Sequence, residues 1–332
     1  MALVLHVNGK GGPEVLALAD VTPPAPGPGE VRFAVQAFAL NRADLLYISN
    51  THYTPLKIPS RLGSEAAGIV DAVGPGVTGF KPGDRVSSVP FFTADSDCHG
   101  VQGSFAIVPA AYLAPWPEGF TATQACSVWM QYLTAFYAMS TVGKVGPNKT
   151  VLIVAGASTA GIGAIQTARV LGAQVIATTR SPNKVAFLQT LGAAHVILTG
   201  VGAPFADQIM TATGGAGFDL AFDPVSGPFT ARYIDAIAPG GKVLIYGALD
   251  SLTISVPLLP LVRAGGWVHA YSMFNHVRHA DELALGIAFV MDHIRSGAFR
   301  PVIDRVFPLA DAIAAYRHML GNTQMGKIVV TT

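Results

Sequence analysis

Cysteine is nearly absent from this 332-residue chain, which has only Cys98 and Cys126, far apart and neither in a Cys-x-x-Cys pair. A four-cysteine structural zinc lobe is thereby excluded; one bridge between the two is the alternative to the free thiols expected here. Charge is scarce too. Asp, Glu, Lys and Arg make up 12% of the residues, and 21 basic against 20 acidic side chains leave a net charge of +1. That balance offers no electrostatic footprint for nucleic acid or an anionic membrane. Although the mean hydropathy is +0.45, no run approaches the roughly 18 apolar residues of a spanning helix. Residues 1–10 lack the basic region and long apolar core of a secretory signal. These absences predict a soluble, cytoplasmic protein with neither nucleic-acid nor membrane partner.

What is present is apolar and rich in turns. The chain is 51% hydrophobic, with 36 Gly and 23 Pro, as suits a large core with tight connections, and its length suits two domains. Residues 21–30 (VTPPAPGPGE) form a loop by composition. Residues 31–39, 69–73 and 85–89 read as strands among Gly74, Gly76, Gly79 and Gly83, a pattern suited to a partly open β-barrel. From about residue 123 the character changes. Apolar runs at 151–155, 174–179 and 195–198 alternate with helical patterns at 161–172, 182–191 and 206–213, and segments 219–222, 229–237 and 242–246 complete the series. Strands alternating with helices predict an α/β fold with a doubly wound parallel sheet of the Rossmann type. Residues 281–295 and 310–320 read as amphipathic helices, and 327–331 as a final strand. The expected division is 1–122 with 268–332 for a catalytic domain and 123–267 for a nucleotide-binding domain.

Residues 151–166 (VLIVAGASTAGIGAIQ) carry the strongest chemical signal. An apolar strand runs into small residues and then a helix, the order that brings a pyrophosphate to backbone amides at a helix N-terminus. Ser158, Ala160 and Gly163 occupy the positions of a Gly-x-Gly-x-x-Gly motif, so context rather than pattern supports the reading. Ser158, Thr159, Ala160, Gly161, Ile162 and Gly163 are the candidate cofactor-binding residues; a tight βα turn without a ligand is the alternative. Sites selecting NAD place a carboxylate about 20 residues further on. Here the second strand ends in Thr179 and Arg180, with Lys184 following, and no carboxylate is present. Thr179, Arg180 and Lys184 suit the 2′-phosphate of NADPH, or else the two cations are solvated surface charges.

The chain resembles the zinc-independent quinone oxidoreductase (zeta-crystallin-like) branch of the medium-chain dehydrogenase/reductase superfamily over nearly its whole length. The likeness rests on LNRAD (40–44), RLGSEAAGIV (61–70), VGPGV (73–77), GDRV (83–86), MQYLTA (130–135), FDPVSGP (222–228) and GKIVV (326–330). It implies a GroES-like catalytic domain of partly open β-barrel form beside the Rossmann domain, an NADPH cofactor and a homodimer. Zinc-dependent relatives have Gly-His-Glu where Gly63-Ser64-Glu65 stands here, and a cysteine ligand near Asn41. Cys98-His99 lacks a third ligand at suitable spacing, so no metal is expected. By the resemblance Asn41, Thr134 and residues 160–163 hold the cofactor. Arg180 and Lys184 meet its phosphate, Tyr246, Gly247 and Ala248 border the nicotinamide, and Asn322 and Lys327 reach toward it from the C-terminal segment. Relatives often carry a tyrosine where Thr199 stands, so the adenine contact is expected to differ.

The implied chemistry is hydride transfer from NADPH to a quinone or an α,β-unsaturated carbonyl. Such a reaction leaves charge on oxygen, which a nearby donor stabilises. Asn41, Tyr47 and Tyr53 are the candidate catalytic residues. His52 is an alternative to Tyr53, and solvent is an alternative to both. Phe91, Phe92 and Phe274 are candidate apolar walls or, equally, core residues, and the 91–103 loop helps to shape the pocket. Segment 252–271 has strand-like runs suited to extending the sheet across a two-fold axis. An alcohol dehydrogenase, an NADPH-binding protein with little turnover, or a trans-acting enoyl reductase of a biosynthetic pathway are the rival readings.

Overall fold

The computed structural model describes residues 2–91, 100–200, 202 and 204–332; Phe92, Cys98 and His99 lie outside them. In chain order the first elements are β1 (Ala2–Val7), β2 (Leu16–Val21), β3 (Glu30–Ala39), α1 (Arg42–Ile48), β4 (Ser60–Arg61) and β5 (Glu65–Val73). Then come β6 (Arg85–Ser88), β7 (Phe105–Pro109), β8 (Leu113–Pro115), α2 (Ala122–Ala125) and α3 (Trp129–Phe136). The nucleotide-binding pattern follows as β9 (Thr150–Ile153), α4 (Thr159–Val170), β10 (Gln174–Thr179), α5 (Val185–Thr190), β11 (His195–Leu198), α6 (Phe205–Ala212), β12 (Phe218–Asp223) and β13 (Ile237–Ile245). The remainder is α7 (Leu258–Ala264), β14 (Trp267–Ala270), α8 (Phe274–Val277), α9 (Ala280–Arg295), β15 (Ile303–Pro308), α10 (Ala312–Leu320) and β16 (Lys327–Thr331).

Two compact units result, Met1–Met130 with Pro301–Thr332, and Gln131–Arg300. These joins differ from the 122/123 and 267/268 division expected from pattern. The cause is aromatic packing: Phe289 of α9 stacks on Phe136 and Tyr132 on Phe299, while Tyr137 donates to the Glu282 carbonyl. Those contacts tie α9 to the second unit.

In the first unit β1 pairs with β2 and β4, and a larger mixed sheet runs β15-β16-β3-β5-β6-β8 with β7 also on β3. Strand β3 is its spine, pairing with β5, β7 and β16 along different stretches. Register shifts at Arg32/Phe33 and Val35/Ala37 bend it, as bulges do. The result is an open, bent sheet rather than a closed barrel. Phe33, Phe38, Val70 and Val108 fill its core together with Ala312, Ala315, Tyr316 and Met319 of α10, a buried stripe at helical spacing.

In the second unit the sheet order is β11-β10-β9-β12-β13-β14, with every pairing parallel. Strand β9 is buried throughout, as a central parallel strand must be. The order reverses between β10 and β12 on either side of β9, so the switch point lies at the turn after β9. Two local expectations fail. Residues 229–237 form 3₁₀ turns at Gly227–Arg232 and Ile234–Ala236. There the Asp223 carboxylate accepts from the Val225 and Ser226 amides and from the Thr230 and Tyr233 hydroxyls, which holds the chain in tight loops. Segment 252–271 is strand only at β14. Pro257 precedes α7 and Gly265, at φ 58°, closes it, the Pro-in, Gly-out pattern of a short helix.

Among the described residues no helix is long and apolar enough to cross a membrane. Cys126 is a buried free thiol. Burial, with the Glu65 charge second, pushes it up to about 12, so it is unreactive near neutral pH.

Candidate functional site

In the first unit, β3 delivers the chain to Asn41, which caps α1 in extended backbone conformation. The Asn41 amide N–H donates to Asp44 Oδ2 at 2.9 Å, and Asp44 N–H returns to the Asn41 carbonyl at 3.0 Å. This local exchange frees the Asn41 side chain for partners distant in sequence. Its Nδ2 donates to Glu65 Oε2 at 3.0 Å, and its Oδ1 accepts from Lys327 Nζ at 2.7 Å. Lys327 Nζ also meets Glu65 Oε2 at 2.5 Å, and Glu65 Oε1 accepts from the Met130 amide at 2.7 Å. Both Glu65 and Lys327 have 0% exposure, and Asn41 has 9%. Lys327, which the resemblance sends toward the cofactor, thus has an internal partner set in Asn41 and Glu65.

Behind this cluster, Asp44 Oδ2 also accepts from Gln102 Nε2 at 3.1 Å and Tyr316 Oη at 3.0 Å. Burial raises the Asp44 carboxyl to about 6 against the opposing pull of those donors and of Lys327. Gly63 lies at φ 87°, and a Cβ there would run into the Gln102 side chain, so both backbone and space require glycine. Asn322 is exposed and accepts from Arg42 Nη2 at 2.5 Å.

The two tyrosines differ. Tyr47 donates to Ser60 Oγ at 3.1 Å and accepts from the Lys57 amide at 3.2 Å, so its phenol is engaged within the fold. Tyr53 is 60% exposed and packs on His52, ring centroids 4.0 Å apart. His52 Nδ1 accepts from the Thr54 amide, and burial lowers the imidazole below its usual value, leaving it mostly neutral near pH 7. Phe91 is buried and stacks on Tyr112 as part of the first unit's core.

In the second unit, β9 ends in a turn whose Ala155 has φ 55°. The Ala155 amide donates to Thr178 Oγ1 and the Gly156 amide to the Thr178 carbonyl. The ends of β9 and β10 are thereby joined. Ser158 caps α4, its Oγ accepting from the Gly161 amide at 3.1 Å. A Cβ on Gly161 would stand 2.6 Å from the Ala155 and Gly156 carbonyl oxygens, and one on Gly163 would stand 3.0 Å from the Gln131 carbonyl oxygen. The glycines therefore let α4 approach the turn and α3 closely. Ser158 takes the Gly161 and Ile162 amides, the latter on its carbonyl at 2.8 Å, and Thr159 and Ala160 stand at the helix N-terminus, where an anion is favoured.

Thr179 Oγ1 accepts from the Ser181 amide, which turns the chain out of β10. Arg180 is exposed there, with half-buried Lys184 closing the next 3₁₀ turn. Tyr246, Gly247 and Ala248 follow β13. The Tyr246 ring stacks on Phe222 at 3.9 Å, and its buried hydroxyl has the Ser158 side chain as a polar neighbour. Burial, followed by the Asp223 charge, drives that phenol upward, so it stays protonated. Thr134 is buried, its Oγ1 on Met273 Sδ at 3.1 Å.

Thus the second unit gathers Ser158, Thr159, Ala160, Gly161, Ile162, Gly163 and Tyr246 around one turn, with Thr179 and Arg180 at the adjoining strand end. The first gathers Asn41 and Lys327. Sequence reading overlooks Glu65, Gln102 and Tyr316 as partners. The one local signal is the acid three residues after Asn41, which marks a helix start.

Residues 27–123 match the model of the alcohol dehydrogenase GroES-like domain, and residues 160–284 that of the zinc-binding dehydrogenase family. A quinone oxidoreductase of Pseudomonas aeruginosa is 30% identical over 332 residues, covering 99% of each chain. A 2-haloacrylate reductase of Burkholderia is 28% identical, covering 99% of this chain and 98% of its own. The Escherichia coli quinone oxidoreductase, solved in complex with NADPH, superposes with a TM-score of 0.90 at 26% identity over 100% of both chains. Among the described residues no cluster of three or more His, Cys, Asp or Glu side chains is placed to hold a metal.

Proposed function

Since the chain belongs to the quinone oxidoreductase branch of the medium-chain dehydrogenase/reductase superfamily and is an oxidoreductase, we propose that it reduces quinones or α,β-unsaturated carbonyls with NADPH and without zinc. The observation that carries this reading is the pairing of the β9–α4 turn with the end of β10. Close-packed Gly161 and Gly163 leave a cradle of backbone at a helix N-terminus, and Arg180 stands at the neighbouring strand end with no carboxylate beside it. The cradle fits a pyrophosphate, and the cations Arg180 and Lys184 fit a 2′-phosphate. The 2-haloacrylate reductase and the quinone oxidoreductase among the relatives support an electron-poor double bond or quinone as acceptor. A zinc-free site is supported by Ser64 standing next to Glu65 and by the Lys327 ammonium that already neutralises that carboxylate.

NADPH, when bound, supplies the hydride. The protein's own residues then orient and polarise. Residues 158–163 hold the phosphates, and Thr134, Tyr246, Gly247 and Ala248 border the nicotinamide. Asn41 offers an amide N–H toward the oxygen on which charge develops. Tyr53 supplies the proton for enones, a role supported by the neutral state and committed ring nitrogen of His52. NADPH oxidation followed optically against 1,4-benzoquinone, 9,10-phenanthrenequinone and simple enones, with NADH in parallel, tests the reading. Turnover preferring NADPH is expected. No turnover with any acceptor, or equal use of NADH, would sink it.

The reading includes a homodimer formed across β14. That strand ends the sheet, and Trp267, 67% exposed, stands there with exposed Leu258, Leu259 and Val262 of α7. An edge strand so bare invites pairing with a second copy.

A further inference from the structure

An asparagine amide has an acceptor at one end and two donor hydrogens at the other, and rotation by half a turn usually changes little. Asn41 is an exception. Its Oδ1 faces the Lys327 ammonium at 2.7 Å and its Nδ2 faces the Glu65 carboxylate at 3.0 Å. Rotation would set donor against ammonium and acceptor against carboxylate, losing two charge-assisted bonds and creating two repulsions. The two charges are themselves paired at 2.5 Å and wholly buried, so solvent cannot screen either contact. Glu65 is held in turn by the Met130 amide on its other oxygen. Of the two Nδ2 hydrogens one is given to Glu65; the second has no acceptor among the described residues.

We propose that Lys327 and Glu65 are positioning residues that lock the Asn41 amide in one orientation, so that its second N–H stays aimed as a fixed donor for the oxygen developing charge on the substrate. This rests on the acceptor class proposed above, but the lock itself is a property of the apo protein. Preorganised donors lower a barrier because they need no reorientation as charge develops. An amide free to rotate would present oxygen as often as nitrogen, and catalysis would suffer while ground-state binding would not.

The test uses Glu65→Gln/Lys327→Met, which removes both charges together and leaves no lone buried ion; Lys327→Met alone strands a carboxylate and is not relied on for kinetics. The protein is labelled with ¹⁵N-asparagine, and the Asn41 signal is assigned by its loss in Asn41→Ala. In the native protein the two amide protons should be distinct and exchange slowly with water. In the double variant they should exchange with water at least about tenfold faster. With NADPH and 1,4-benzoquinone, kcat should fall about tenfold at nearly unchanged KM. In an Asn41→Ala background the same two substitutions should cost less than about twofold more, because their effect runs through a side chain already gone. Unchanged Asn41 signals in the double variant would overturn the lock. Full additivity with Asn41→Ala would overturn its role in turnover. If the native enzyme reduces no quinone or enone, the acceptor reading falls while the amide spectra still decide the lock.

Discussion

Replacing Asp44 by asparagine should make the protein more stable above neutrality and not below pH 4. The buried carboxyl keeps its proton up to about pH 6, against an ordinary value of 3.8. At about 1.4 kcal/mol per pH unit, that difference charges the ionised form with a penalty of about 3 kcal/mol. The sign follows from proton counts. Between about pH 4 and 6 the folded protein holds a proton that the unfolded chain has released, so stability falls as pH rises through that window and is flat beyond it. The side-chain amide of Asp44→Asn retains an acceptor for the Asn41 amide, Gln102 Nε2 and the Tyr316 hydroxyl, the three donors now on Asp44 Oδ2, and has no charge to desolvate. Urea unfolding followed by tryptophan fluorescence, with Trp116 and Trp129 reporting on the first unit, measures both proteins from pH 4 to 8. The advantage of Asp44→Asn over the native protein should grow by about 3 kcal/mol from pH 4 to pH 7. A difference that stays constant across this range would refute the reasoning, since it would mean that Asp44 ionises alike in the folded and unfolded states.

Arg180→Ala with Lys184→Ala should raise the KM for NADPH by about 10- to 100-fold, the loss of one to two charge-assisted contacts, and leave NADH little changed; equal effects on both cofactors would remove the phosphate assignment. Tyr53→Phe should lower kcat for enones by about 10²-fold and for quinones much less, and an unchanged kcat for both would take Tyr53 out of the mechanism. Lys327→Met should destabilise by about 3–5 kcal/mol, as stranding a buried ion does, with Glu65→Gln/Lys327→Met recovering most of the loss in thermal melts. Elemental analysis of the purified protein should show no stoichiometric zinc, and one zinc per chain would contradict the zinc-free proposal.

Much of the second unit is legible from pattern because each strand is a short apolar run closed by Gly, Pro or a polar residue. Segments 174–179 and 195–198 coincide with β10 and β11 for that reason, as does 327–331 with β16 in the first unit. Helical periodicity similarly locates α9 and α10 to within two residues. Segment 229–237 misleads because its conformation answers to Asp223, a tertiary partner that periodicity does not contain. The 252–271 stretch misleads because Leu, Val and Ile runs suit both helix and strand. In the site, the glycine turn is readable as strand, turn and helix in succession. The Glu65–Lys327 pair is not, since the partners lie 262 residues apart and nothing in either flank distinguishes a buried charge from a solvated one.

That separation bears on the order in which the protein is made. Asn41 and Lys327 are 286 residues apart, with the whole second unit between them. During synthesis β3 emerges early, and at Ala37–Ala39 its outer side has no strand to pair with until β16 appears. Glu65 likewise waits for its cation. A nascent chain can complete the sheet of its second unit while the Asn41 amide still hangs from an unfinished edge, so β16, made only after that unit, both seals the first sheet and fixes the Asn41 side chain.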